Sequence, residues 1–212
     1  HTNPFALQEA LPQLDFEATF QGFSGVLDFE IGFGRGVFLR SYAARYRERH
    51  ILAADVRKSL IPMMTERLDN ASISNVHVLH GTGERCIEEL IPDRSLARVF
   101  IFHPDPWFKN KHRKRRVVKP AFLSALAPKM AKNGRLYIST DVPELWEAMM
   151  ESISESLFDT VKDDAFWQND YRTHWGLFSE EDERSQLYGT FSNWPTSVLV
   201  NKRICSRNKP GS

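Results

Sequence analysis

The chain has 212 residues, a formal net charge of +1, 42% hydrophobic and 26% charged residues. That balance fits one soluble domain, 1–212, with residues 1–20 as an N-terminal extension, and nothing approaches the run of about 18 apolar residues that a membrane span needs. Two distant cysteines, Cys86 and Cys205, and seven unclustered histidines predict neither a disulfide scaffold nor a metal site, and they suit a reducing, cytoplasmic setting.

The start, His1-Thr2-Asn3-Pro4, has no basic segment followed by an apolar one, so no signal peptide is expected. Val26 to Ile31 reads as a short buried strand that ends in the turn Gly32-Phe-Gly-Arg-Gly36. Val37 to Arg49 reads as a helix with Phe38, Tyr42 and Tyr46 along one stripe. A strand over 50–55 precedes a helix over 57–70, in which Pro62 marks a kink or the true start. Strands over 76–80 and 98–102 flank a short helix over 85–90. Pro120 can open a helix and Gly134 can stop one; a strand over 135–139 and a helix from Pro143 to about Leu157 follow. Residues 158–161 and 197–204 form a closing strand pair. Strand-helix alternation of this kind predicts a doubly wound, Rossmann-like α/β sheet, mostly parallel with a closing antiparallel strand. Ligands bind such sheets at the carboxyl ends of the strands.

The glycine turn is the first candidate site. Glycines at 32, 34 and 36 let the backbone turn tightly and approach a ligand. The spacing is not the G-x-G-x-x-G of NAD enzymes, and no dedicated phosphate cradle accompanies it. Glu30, just before the turn, would repel phosphate and attract an ammonium. Asp55, at the end of the second strand, can bind two ribose hydroxyls or can be the helix cap before Arg57. A ribose and a positive charge without phosphate describe S-adenosylmethionine.

The second candidate site is His103-Pro104-Asp105-Pro106-Trp107. Flanking prolines deny Asp105 a local helix and fix it above the sheet. Trp107 and Phe108 offer faces on which a base can stack. Six cations within eight residues follow, Lys109, Lys111, Arg113, Lys114, Arg115 and Arg116, a density that suits RNA phosphates more than a small substrate. The alternative for such a run is a solvated helix face or a disordered loop. Asp141, after the fifth strand, reaches the same cleft or caps the next helix.

These residues resemble the bacterial tRNA (guanine-N7)-methyltransferase family over most of the chain. The most specific part is Pro104-Asp105-Pro106-Trp107 with Lys109, His112 and Lys114-Arg115-Arg116; Glu30 to Gly36 and Thr140-Asp141 also match. The resemblance implies S-adenosylmethionine as cofactor, held by Glu30, Gly32, Gly34, Gly36 and Asp55, and a guanosine in the variable loop of tRNA as substrate. It implies Asp105 as the catalytic residue, Lys109 and Asp141 as substrate contacts with Trp107 stacking, and Lys111, Arg113, Lys114, Arg115 and Arg116 as the RNA-contacting segment. No metal, membrane or obligatory protein partner is implied. Two departures stand out. His80-Gly81-Thr82-Gly83 replaces the family's acid-Ala at the adenine site, leaving Thr82 and backbone groups to serve. Gln186-Leu187-Tyr188-Gly189 aligns with a Thr-x-aromatic-Glu motif and keeps only the aromatic, Tyr188, for substrate.

Other readings are a methyltransferase with a different RNA or a small-molecule or protein substrate, and an RNA-binding homologue altered in catalysis. The basic run argues against a small substrate. Intact Glu30, Asp55, Asp105 and Asp141 argue against lost catalysis.

Overall fold

The protein is described here from a computed structural model, which covers residues 9–161 and the backbone of the strand Ser197–Lys202. Seven strands form one sheet in the order β3-β2-β1-β4-β5-β7-β6. They are β1 (Leu27–Ile31), β2 (Ile51–Asp55), β3 (Val76–His80), β4 (Leu96–Phe102), β5 (Met130–Ser139), β6 (Phe158–Val161) and β7 (Ser197–Lys202). The first five run parallel, and β7 is antiparallel to both β5 and β6. Among the described residues six α-helices accompany them: α1 (Phe16–Thr19), α2 (Val37–Arg45), α3 (Leu60–Asn70), α4 (Gly83–Glu89), α5 (Pro120–Lys129) and α6 (Pro143–Ser154).

The sheet is covered on both faces. Every residue of β2 is buried, as expected for a central parallel strand. Alternation along the strands divides the core. Leu27, Phe29, Leu52, Ala54, Val99 and Ile101 pack on one side with α4 to α6. Ile51, Ala53, Phe100 and Tyr137 pack on the other with Phe38, Leu39, Tyr42 and Met64 of α2 and α3. The predicted aromatic stripe is present, with Phe38 and Tyr42 stacked at 5.3 Å and Tyr42 and Tyr46 at 4.7 Å between ring centroids.

Helix ends follow local chemistry. Asp15 caps α1 and Thr82 caps α4, each through a side-chain oxygen that accepts from the first turn. Pro120 and Pro143 open their helices, where a missing N–H costs nothing. Pro62 sits in the first turn of α3, so that helix starts at Leu60 and is not kinked. The end of α5 departs from expectation. It stops at Lys129, just after Pro128, and Gly134 falls inside β5. There a Cβ would lie 2.7 Å from the Leu96 carbonyl oxygen, so this glycine serves strand packing and not helix termination. Among the described residues no helix is long and apolar enough to cross a membrane, and no group of three or more His, Cys, Asp or Glu could hold a metal.

Strand order reverses at β1: the chain moves outward through β2 and β3, then returns to the other side of β1 with β4. This is the switch point at which doubly wound sheets bind ligands. Glu30 lies at the carboxyl end of β1, and the His103 to Trp107 stretch leaves the carboxyl end of β4.

Candidate active site

A cavity of about 630 Å³ opens at this switch point, lined among others by Glu30, Gly34, Asp55, Thr82, Asp105 and Trp107. The two motifs, some 75 residues apart in the chain, thus share one space.

The glycine turn has positive φ at each glycine, 81° at Gly32, 56° at Gly34 and 69° at Gly36. At Gly36 the need is also steric, since a Cβ would meet Met64 Cε at 2.0 Å. Glu30 is 3% exposed and its Oε2 has no hydrogen-bond partner. Burial, reinforced by the like charge of Asp55, pushes its carboxyl up to about 8. In the ligand-free protein at neutral pH it therefore holds its proton. A buried acid with an orphan oxygen in a cavity wall is suited to meet a cation.

Asp55 is buried and fully engaged. Its Oδ2 accepts from the Gly34 N–H and its Oδ1 from the Arg57 N–H, both at 3.0 Å. The Arg57 guanidinium adds one bond to each oxygen, also at 3.0 Å. Four donors saturate a carboxylate's roughly four lone-pair sites. Asp55 is not the cap of α3, a position that Ser59 holds; its bond to the Arg57 N–H closes a turn before that helix, and the two sites filled by a half-exposed guanidinium can be exchanged for two hydroxyls. Thr82 lines the cavity beside them and caps α4 by accepting from the Arg85 N–H at 3.2 Å.

Two left-handed residues bracket the Pro-Asp-Pro segment, His103 with φ 47° and Trp107 with φ 46°. Bulky residues rarely adopt this region, and each such conformation costs about 1–3 kcal/mol. The His103 N–H donates to the Ser139 carbonyl at 2.9 Å, and its ring Nδ1 lies 3.5 Å from Asp141 Oδ1. Burial holds the imidazole below its usual range. Burial likewise raises the carboxyl of Asp105, against the pull of Arg57. Asp141 is half-exposed and stands behind His103, outside the lining of the cavity. It is not the cap of α6: Val142 holds that position, and the Thr140 hydroxyl accepts from the Val142 N–H.

The basic run is not one surface. Asn110–Arg115 forms a 3₁₀ segment. Lys109, Lys111, Arg113 and Lys114 are exposed, although Arg113 pairs with Glu144 of α6 at 2.9 Å. Arg115 turns inward to line the cavity; its guanidinium lies over the Trp107 ring at 4.9 Å, and its Nε is buried without a hydrogen-bond partner. Arg116 is 7% exposed and bonds the Pro106 carbonyl and Glu144.

The structure therefore brings Glu30, Gly32, Gly34, Gly36, Asp55, Thr82, Asp105, Trp107 and Arg115 together around the cavity and leaves Lys109 and Asp141 outside its lining. Tyr188, with Gln186 to Gly189, lies outside the described residues. Sequence reasoning missed Arg57, Glu144 and the wall position of His103. Arg57 was detectable, as a cation two residues beyond a ribose-type acid; Glu144 carried no signal of its own.

The family profile Methyltransf_4, described as "Putative methyltransferase", matches residues 24–191. A tRNA (guanine-N(7)-)-methyltransferase of Thermosynechococcus vestitus is 35% identical over 153 residues, which are 71% of this chain and 72% of that protein. One of the same name from Shewanella amazonensis is 40% identical over 125 residues, 59% of this chain and 52% of that protein. One from Neisseria meningitidis is 32% identical over 161 residues, 76% of this chain and 66% of that protein. The matched stretches thus span from about half to nearly three quarters of these relatives. Among solved structures, the 16S rRNA methyltransferase KamB aligns with a TM-score of 0.62 at 15% identity over 92% of this chain and 97% of that one. A SAM-dependent methyltransferase from Aquifex aeolicus aligns with a TM-score of 0.51 at 16% identity over 65% and 74%. These two likenesses are likenesses of fold. The glycine turn, the acid-aromatic-basic block and the matching relatives agree, and the chain belongs to the tRNA (guanine-N7)-methyltransferase family of SAM-dependent enzymes.

Proposed function

We propose that the protein transfers the methyl group of S-adenosylmethionine to N7 of a guanosine in tRNA. The residues present fit the cofactor. The orphan Oε2 of Glu30 would take its ammonium, Asp55 its ribose hydroxyls, and Thr82 and the backbone around Gly81 and Gly83 its adenine, a reading supported by the unpartnered oxygen and the shared lining. When bound, S-adenosylmethionine supplies an electrophilic methyl group on a cationic sulfur.

Guanine N7 carries a free lone pair and no proton, so no strong base is required and positioning dominates. Asp105 is fixed within the same cavity and can accept from the N1–H and N2–H₂ edge of the base. The purine gains positive charge as the N–C bond forms, and the carboxylate of Asp105, with Asp141 behind His103, stabilises that charge. Trp107 and Arg115 line the wall that a stacked base would meet, and Arg115 offers its unpartnered Nε–H to an acceptor there. Lys109, Lys111, Arg113 and Lys114 face solvent, where phosphates can reach them.

The observation that carries this reading is the shared cavity: an unpartnered buried carboxylate for a cation on one wall, and a rigid acid beside an aromatic on the other. The test is incubation of the protein with unmodified tRNA and radiolabelled cofactor, followed by mapping of the modified nucleotide. Label at a guanine N7 is expected. Label on another atom, or none, would reject the proposal.

A further inference from the structure

We infer that Arg116, though one of the six cations of the basic run, is a positioning residue for Asp105 and not an RNA contact, and that Glu144 is its anchor. Arg116 is nearly buried, which already removes it from a solvent-borne polyanion. Its side chain bonds the loop after β4 and the first turn of α6. Nε–H donates to the Pro106 carbonyl at 2.8 Å, and an Nη2–H donates to Glu144 Oε1 at 2.8 Å. Pro106 lies between Asp105 and the left-handed Trp107. Glu144 lies in the first turn of α6, three residues beyond Asp141.

Arg116 thus links the loop after β4 to the start of the helix after β5. A second link, on the other side of Asp105, runs from the His103 N–H to the Ser139 carbonyl and from the His103 ring to Asp141. Strained residues persist only where their surroundings over-determine them. The turn from His103 to Trp107 has positive φ at both ends, so these two links are what such a turn requires. Glu144 also pairs with Arg113, which ties the 3₁₀ segment to the same helix. A buried charged hydrogen bond to a main-chain carbonyl is a directional constraint on that carbonyl, whereas a phosphate contact needs an exposed and adaptable cation.

The activity arm of the test rests on the proposed methyl transfer to tRNA; the fluorescence arm does not. Arg116→Met, Arg116→Lys, Glu144→Ala and, as comparator, Lys111→Ala are measured for three properties: kcat and KM for tRNA, the slope of log K against log salt for tRNA binding, and Trp107 emission, isolated by replacing the other tryptophans with Phe. For Arg116→Met we expect kcat lowered by about 10- to 100-fold, with KM and salt slope near wild type and Trp107 emission shifted. Arg116→Lys should recover part of kcat. Lys111→Ala should raise KM and flatten the slope by somewhat under one unit. Glu144→Ala, at a half-exposed position, should lower kcat and shift Trp107 emission, and its slope should not flatten, because Arg113 is released. The inference is overturned if Arg116→Met flattens the slope as Lys111→Ala does while kcat holds. It is equally overturned if Glu144→Ala leaves kcat and Trp107 emission unchanged. An inactive wild type would reject the proposed function alone, and Trp107 emission would still decide whether Arg116 and Glu144 hold the turn.

Discussion

Asp28 and Glu30 sit two residues apart on β1, on the same face of the sheet, and both are buried. Asp28, toward the amino end, is surrounded by donors. The Arg49 guanidinium bonds both its oxygens, and the Tyr42 hydroxyl, which itself accepts from Arg98, donates to Oδ2 at 2.6 Å. Glu30, at the carboxyl end, has an oxygen with no donor at all. The first arrangement is complete without a ligand. The second leaves a buried acceptor open. Burial alone therefore does not identify a functional acid; the missing partner does.

The sharpest way to break this contrast is to remove the completed acid. Asp28→Ala leaves Arg49 and Tyr42 without their acceptor, which should cost about 3–5 kcal/mol and lower Tm by on the order of 10 °C. Cofactor affinity, measured by calorimetry well below the transition, should stay within about twofold of wild type. Glu30→Gln should do the reverse. It should weaken cofactor binding roughly 10- to 100-fold at pH 8 through loss of a charged hydrogen bond, and raise the Tm of the free protein at pH 8 but not at pH 5.

The sign follows from linkage. The folded-state carboxyl of Glu30 is raised from 4.5 to about 8, so the native state holds a proton that the unfolded chain releases over that window. Stability from this group is fully present below about 4.5 and is lost as pH rises toward 8. Cofactor binding has the opposite dependence, because an ammonium requires the ionised acid. Affinity should fall by up to about tenfold per pH unit below 8, with close to one proton released per cofactor at pH 7. Calorimetry in two buffers of different ionisation enthalpy measures that release, and Glu30→Gln should abolish it. The smallest effect should come from Tyr42→Phe, which removes one donor from Asp28 and leaves Arg49 in place. A loss of about 1–3 kcal/mol with no change in cofactor binding is expected.

The strand-helix order, the glycine turn and the split of candidates between two motifs could be read from the sequence because each is a local pattern. Glu30 could be singled out as a candidate by its place before the turn, but the sequence does not show that its oxygen lacks a donor while Asp28 is satisfied by Arg49, 21 residues away. The basic run shows the same limit. Its charge density is evident, yet Arg113, Arg115 and Arg116 have three different surroundings, set by Glu144 and Trp107, which sequence spacing does not reveal. The end of α5 was misplaced for a related reason: Gly134 is a stop signal in isolation, and its role in β5 exists only beside β4.

The saturated carboxylate of Asp55 carries a consequence for selectivity. The main-chain N–H groups of Gly34 and Arg57 hold one lone pair on each oxygen, whatever occupies the other two. The plane of the acceptor is thus set by backbone, and a sugar meets a preorganised pair of sites, one per hydroxyl. The competitor for those sites is the Arg57 side chain, tethered two residues away at the high effective concentration of an intramolecular ligand. On the proposed reading, a nucleoside with both hydroxyls would replace both guanidinium bonds, and a deoxy sugar would replace one and leave the other oxygen to the arginine. On the proposed role of Asp55 at the ribose, the ring of donors around it would act as a two-point filter.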